Sequence, residues 1–402
     1  MKSWAQLPRR FVAAALVLFV LAGCATPVAE TAWRAALQPA IPAAIQAYVD
    51  KRQLPGAVLW VEREGRSYAV AVGRHTYDAD AVPMRVDTVF DAASLTKAAV
   101  TTPAILQLAE AGRLVLDDPL ARHVPECAGD GREAITLRHL LTHTSGLAPG
   151  IPALPTWRGV PSALSLACRE VPTHPPGTLF RYSDINFILL GLIVERVSGL
   201  PLDQYAATRI FAPLGMKDSM YLPLRHFNVA RIAPTQRTQS PHTGLHGDLA
   251  PGQPLRGVVH DPTARFMGGV AGHAGLFTTA GDLARYARML LTGGALDGQR
   301  VLSEASVRLM HTVQTPAETG ARRGIGWDID SPYAVRPRGL VFPVGSFGHT
   351  GFTGCILWID PGSRSFYVFL SNRVYPDDKG AILPLYTEVS TLSARVAGLG
   401  AP

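Results

Sequence analysis

Strand-like runs at the two ends of this chain enclose a helix-rich middle, and that order restricts the fold more than any other feature. Ala57 to Glu62 and Ser67 to Val72 alternate as strands, with Glu64-Gly65-Arg66 suited to the hairpin turn between them. Ile325 to Ile329, Cys355 to Ile359 and Phe366 to Leu370 are strand-like near the other end. Between them, Ser94 to Gly112, Leu137 to Leu141, Asp184 to Ser198, Pro201 to Ile210 and Ala280 to Leu291 read as helices. Ile41 to Arg52 opens the globular part as a helix, and Pro384 to Ala397 closes it, with the proline in its first turn. Strands from both ends can share one antiparallel sheet flanked by helices, while the middle forms an inserted all-α region. The expectation is an α+β fold.

The first 24 residues read as an export signal. Lys2, Arg9 and Arg10 precede an apolar run from Phe11 to Ala22, too short for the ~20 residues of a membrane span. The segment ends Leu21-Ala22-Gly23-Cys24, which resembles the bacterial lipobox, so Cys24 is the expected lipidation site. The resulting anchor would tether the chain to a membrane without crossing it. Ala25, rather than Asp, follows the cysteine and points to the periplasmic side of the outer membrane. Residues 25–40 are rich in Ala, Pro and Thr and read as a tether. Residues 41–395 then form one catalytic unit.

The net charge of +7 falls to +4 without the three basic residues of that signal, too mild for a nucleic-acid partner. Cys127, Cys168 and Cys355 remain; an oxidising compartment permits one disulfide, and Cys127 with Cys168 is one candidate pairing. His139 and His143 stand at i, i+4, but Leu140 occupies the position where a metalloprotease helix needs Glu. Neither a metal nor a cofactor is expected.

Asp91-Ala-Ala-Ser94-Leu-Thr-Lys97 carries the chemistry. Thr88-Val89-Phe90 before it is strand-like and a helix follows, so Ser94 and Lys97 would share a face at i, i+3. A serine hydroxyl needs a base before it becomes a nucleophile. A neutral lysine can serve; a charged one favours ionisation of a neighbouring acid. Only five of the 38 basic residues are lysines, so a lysine at this position is less readily coincidence. A second motif, Pro176-Gly-Thr-Leu-Phe-Arg-Tyr182-Ser-Asp184, delivers Tyr182 at the mouth of an apolar helix. Beside a lysine its phenol can pass protons. The third, Phe347-Gly-His349-Thr350-Gly351-Phe352, offers donors along a strand edge, although such a run alone also reads as a turn. Gly268-Gly-Val-Ala-Gly-His273-Ala-Gly275 reads as a tight turn; its His273 either lines the site or packs.

In this order the three motifs resemble the serine β-lactamase and penicillin-binding family, in its class C-like branch, and are similar to those of D-alanyl-D-alanine carboxypeptidases. Leu140-Leu-Thr-His-Thr-Ser-Gly-Leu147 and the 268–275 run strengthen the likeness. The resemblance implies that Ser94 is acylated, Lys97 activates it and Tyr182 is the general acid/base. It makes His349-Thr350-Gly351 the substrate-binding strand and forms an oxyanion hole from the backbone N–H groups of Ser94 and Phe352. Asp184 stands where the family more often has Asn, and a carboxylate there can hold Lys97 instead of donating to substrate. His349 replaces the lysine of β-lactamases, which weakens capture of a β-lactam carboxylate; some family peptidases share His-Thr-Gly. The expected substrates are peptidoglycan-derived D-alanyl peptides, then carboxylic esters, then β-lactams. A non-catalytic wall-binding protein is the rival reading.

Overall fold

The computed structural model describes Met1 and residues 33–152, 157–226, 228–237 and 252–400. The export signal, Cys24 and residues 25–32 of the expected tether lie outside the described residues. The tether's last residues, 33–40, pack on the body. Trp33 and Leu37 cover one face of the core, and the Arg34 N–H donates to the Val396 carbonyl at 3.0 Å.

Eleven strands are described: β1 (Gly56–Arg63), β2 (Arg66–Gly73), β3 (Phe90–Asp91), β4 (Phe277–Thr278), β5 (Ala295–Leu296), β6 (Gln299–Arg300), β7 (Arg322–Gly324), β8 (Trp327–Asp330), β9 (Phe347–Gly351), β10 (Cys355–Asp360) and β11 (Ser365–Ser371). Seven form one antiparallel sheet in the order β2-β1-β11-β10-β9-β8-β7. The first strand of the chain thus pairs with the last, Val58 opposite Leu370. That pairing joins the two ends and leaves between them an inserted region that is mostly helical rather than all-α, since it also holds the small sheets β3-β4 and β5-β6.

Side chains alternate across a strand, which explains why the central strands are apolar throughout. Leu59, Val61, Tyr367 and Phe369 point to the layer made by helices Ala40–Asp50 and Leu383–Val396. Val58, Leu357, Val368 and Leu370 point to the opposite layer, where helices Thr102–Glu110, Asp184–Ser198 and Ala280–Leu291 pack. Helix Asp184–Ser198 is buried from Ile185 to Val194, so its apolar residues run all the way round. Cys127 and Cys168 are disulfide-bonded beneath it.

The single helix expected from Ser94 to Gly112 is present as a continuous stretch from Leu95 to Glu110, but it is not regular: Ser94 lies on the turn before it and Lys97–Thr101 is π-helical ahead of the α-helical Thr102–Glu110. Side-chain bonds to a neighbouring loop account for the irregular start: the Thr101 hydroxyl donates to the Gly272 carbonyl at 2.7 Å, and the Leu276 N–H donates to Thr96 Oγ1 at 3.1 Å. Wider turns of this kind concentrate at functional sites.

Candidate active site

Asp91 shapes the turn that carries Ser94. Its carboxylate accepts the Ala93 N–H at 2.8 Å and the His260 N–H at 2.6 Å. Burial pushes the Asp91 carboxyl up to about 6, against those two bonds. Ala93 is held at φ +46°, a left-handed conformation costly for a residue with a side chain. The next residue, Ser94, emerges at the edge of the cleft.

Lys97 is fully buried, and its ammonium has three oxygen partners. It donates to Ser94 Oγ at 2.9 Å and to the His273 carbonyl at 3.0 Å, and pairs with Asp184 Oδ1 at 2.7 Å. Burial pulls its pKa down, but Asp184 and Tyr182 outweigh burial and hold it above the ordinary lysine value. Lys97 is therefore a cation here rather than a free base.

The 268–275 run explains one of those partners. A Cβ on Gly272 would lie 2.1 Å from the Phe187 carbonyl oxygen, and one on Gly191 would lie 2.9 Å from Gly272 Cα. Only paired glycines let this loop cross helix Asp184–Ser198 closely enough to present the His273 carbonyl. The His273 ring bonds Asp261 Oδ1 at 2.8 Å and is buried. Its backbone belongs to the site while its ring packs.

Tyr182 precedes that same helix. Its ring centroid lies 5.0 Å from Lys97 Nζ, and one face stacks on His143 at 4.3 Å. His349, Tyr182, Ser94, Thr350 and Phe352 line one cavity of about 220 Å³. The motif carrying His349 is strand β9, not a turn. Gly351 at its end abuts the turn that carries Ser94: a Cβ there would lie 2.4 Å from the Ala92 carbonyl oxygen. His349 is buried, and burial, then the charges of Arg323 and Lys97, hold it well below its ordinary value. Its Nδ1 lies 2.8 Å from the Thr350 carbonyl, so the neutral ring donates there. Burial thus leaves a neutral histidine where β-lactamases carry a lysine.

The cation that does line the cavity is Arg323, which sequence reasoning missed. Its side chain is 2% exposed and stacks on Phe180 at 5.3 Å. Its Nη1 lies 3.8 Å from Asp328 Oδ2, beyond hydrogen-bond length, and Nε and Nη2 have no partner among the described residues. An arginine within β7, two residues before the apolar run that begins at Ile325, was the available signal. His143, read as one of two structural histidines, is the second residue missed. His139, its companion at i, i+4, accepts the Thr136 N–H at 3.2 Å, so the two rings serve different ends. Among the described residues no group of three His, Cys, Asp or Glu side chains is placed to hold a metal ion.

A buried lysine bridging a serine and a carboxylate, with a tyrosine beside them and strand β9 across the cleft, sits on an α+β protein of the β-lactamase fold. The chain belongs to the Beta-lactamase family, whose model matches residues 41–389. It is 33% identical over 305 residues to a protein of Escherichia coli K12 named "Putative D-alanyl-D-alanine carboxypeptidase", covering 71% of this chain and 69% of that one. Among solved structures it resembles EstCE1, described as a hydrolase with promiscuous acyltransferase activity, with a TM-score of 0.69 at 23% identity over 88% of this chain and 98% of that one. It also resembles a class C β-lactamase from Rhodobacter sphaeroides, with a TM-score of 0.66 at 22% identity over 89% and 98%. At these identities the two structures speak for the fold.

Proposed function

We propose that the protein is a serine hydrolase that forms an acyl-enzyme at Ser94 with peptidoglycan-type D-alanyl peptides. The observation that carries this reading is the Lys97 ammonium, 2.9 Å from Ser94 Oγ and paired with Asp184 at 2.7 Å. A protonated lysine cannot take the serine proton, so Tyr182 serves as the general base that takes it, and Lys97 stabilises the negative charge that passes between the two oxygens. Ser94 Oγ then bonds to the carbonyl carbon. The backbone N–H groups of Ser94 and Phe352, neither of which donates a hydrogen bond among the described residues, receive the oxyanion. Tyr182 returns the proton to the leaving amine as the C–N bond breaks. A water attacks the ester by the reverse sequence and frees Ser94.

Arg323 favours a substrate with a free carboxylate over a neutral ester. Its side chain belongs to the cavity wall and is held by Asp328 only at 3.8 Å, whereas His349 is neutral. A guanidinium pairs well with a planar carboxylate. The carboxypeptidase name of the E. coli relative points the same way. Carboxylic esters are the second reading, favoured by the apolar wall of Tyr333, Pro337, Phe352 and Trp358. We also take Cys24 to carry the lipid that would hold the protein at the periplasmic side of the outer membrane; loss of labelling by a clickable fatty acid in Cys24→Ala is the check.

A fluorophosphonate probe should label the wild type and not Ser94→Ala by intact mass. Turnover of an N-acylated peptide ending in D-Ala-D-Ala should exceed that of its C-terminal amide. Equal labelling of the two proteins removes Ser94 as nucleophile. Labelling without turnover of either peptide or ester supports the wall-binding alternative.

A further inference from the structure

We propose that His143 is the residue that positions Tyr182. The inference rests on the acid/base role given to Tyr182 above and adds what holds it in place. The His143 carbonyl accepts the Arg181 N–H at 2.9 Å, and His143 Nδ1 accepts the Ser183 N–H at 3.1 Å. The residues before and after Tyr182 are thus both tied to one residue about forty positions earlier in the chain. The imidazole also lies on the Tyr182 ring, with centroids 4.3 Å apart and planes 28° from parallel.

The imidazole is itself fixed. Phe187 and Phe180 close on it at 5.1 and 6.4 Å, and His143 is fully buried. It does not line the cavity, so it acts on a substrate only through Tyr182. Its backbone is held at φ +58°, a region that Asn, Asp and His enter more readily than other side chains. Nδ1 serves as an acceptor only while it is unprotonated. Burial, followed by the facing charges of Arg323 and Lys97, keeps the ring neutral well below its ordinary value.

Two substitutions divide the two functions of this side chain. Asn places an oxygen on Cγ, where Nδ1 sits, and tolerates the left-handed backbone, but it has no ring. Phe keeps the stacking surface and loses the acceptor.

The test measures kcat, KM and Tm on a neutral chromogenic ester for the wild type, His143→Asn, His143→Phe, Tyr182→Phe and the double variant H143F/Y182F. His143→Phe should lower kcat by about 100-fold, as expected when a reacting group is misplaced by about 1 Å. KM should stay within about 2-fold, because the cavity wall is unchanged. His143→Asn should recover most of that kcat. In the Tyr182→Phe background, His143→Phe should cause no further loss, since residues that act as a unit are not additive. A His143→Phe enzyme with wild-type kcat overturns the inference, and so does an equal further loss in the Tyr182→Phe background. If His143→Phe does not fold, His143→Gln takes its place, because its acceptor falls where Nε2 lies; Asn and Gln variants of equal kcat then overturn it. Tyr182→Phe with wild-type kcat removes the acid/base reading itself, a result distinct from failure at His143 alone.

Discussion

Replacing Asp184 with Asn tests the charge arrangement around Lys97 more directly than removing the lysine would. The substitution keeps the shape and an accepting oxygen and removes one negative charge 2.7 Å from a fully buried ammonium. At that distance and an effective dielectric of about 20, the bare attraction is about 6 kcal/mol. Breaking a buried pair costs less, about 3–5 kcal/mol. Asp184 is one-third exposed and the amide still accepts, so solvent and the residual bond reduce the loss to about 2 kcal/mol. The pair's stabilisation is present below the lysine's ordinary value of 10.5 and lost as pH rises through the higher value in the folded state. At pH 7 it is fully present. Tm of Asp184→Asn should therefore fall by about 2–5 °C. With burial less opposed, Lys97 would lose its proton at lower pH, and the alkaline limb of kcat/KM on a neutral ester should shift acidward. Differential scanning fluorimetry and a pH–rate profile from 6 to 10.5 are the assays. An unchanged Tm together with a superimposable profile would refute the view that Asp184 holds Lys97 charged.

Other outcomes follow from the same structure. Gly351→Ala must move β9 away from the Ala92 carbonyl, 2.4 Å from the new Cβ, and should lower kcat by about 100-fold while the chain stays folded; kcat within 3-fold of wild type would count against a tight strand–nucleophile contact. Gly272→Ala should be more damaging, since the new Cβ would fall 2.1 Å from the Phe187 carbonyl oxygen, and a variant with wild-type Tm would contradict that packing. Removing the disulfide in C127A/C168A releases a loop of 41 residues and should cost about 2–4 kcal/mol in urea unfolding. Stability should also fall as pH drops below 6.5. His143 and His349 stay neutral in the fold while the unfolded chain binds protons, about 1.4 kcal/mol per pH unit for each histidine; a flat stability profile between pH 6.5 and 5 would show that these rings are protonated in the native state.

The local half of this protein was legible in the residues. Periodicity marked helices Asp184–Ser198 and Ala280–Leu291 at their observed ends, and the apolar runs of β1, β10 and β11 matched strands buried on both faces. Ser94 and Lys97 could be paired because three residues of a turn suffice to bring them together, and Tyr182 stood out by its place before an apolar helix. What stayed hidden was long-range. Lys97 meets His273 across 176 positions, and Ala93 owes its strained geometry partly to His260 N–H on the far side of Asp91. Neither contact leaves a local period or spacing in the sequence.

His143 and Arg323 make the same point for function. As a sequence feature His143 was half of an i, i+4 pair, and Arg323 was one of many arginines. Only the assembled seven-stranded sheet and the buried central helix give them their surroundings, because both depend on the removal of water. A neutral imidazole beside Tyr182 and a buried guanidinium paired only loosely with Asp328 in a cavity wall arise where burial overrides the ordinary preferences of these side chains. The sequence by itself marked which residues are candidates to react and which elements carry them. The tertiary structure decided their protonation, their partners and the shape of the space in front of Ser94, because those follow from distance and dielectric rather than from order along the chain.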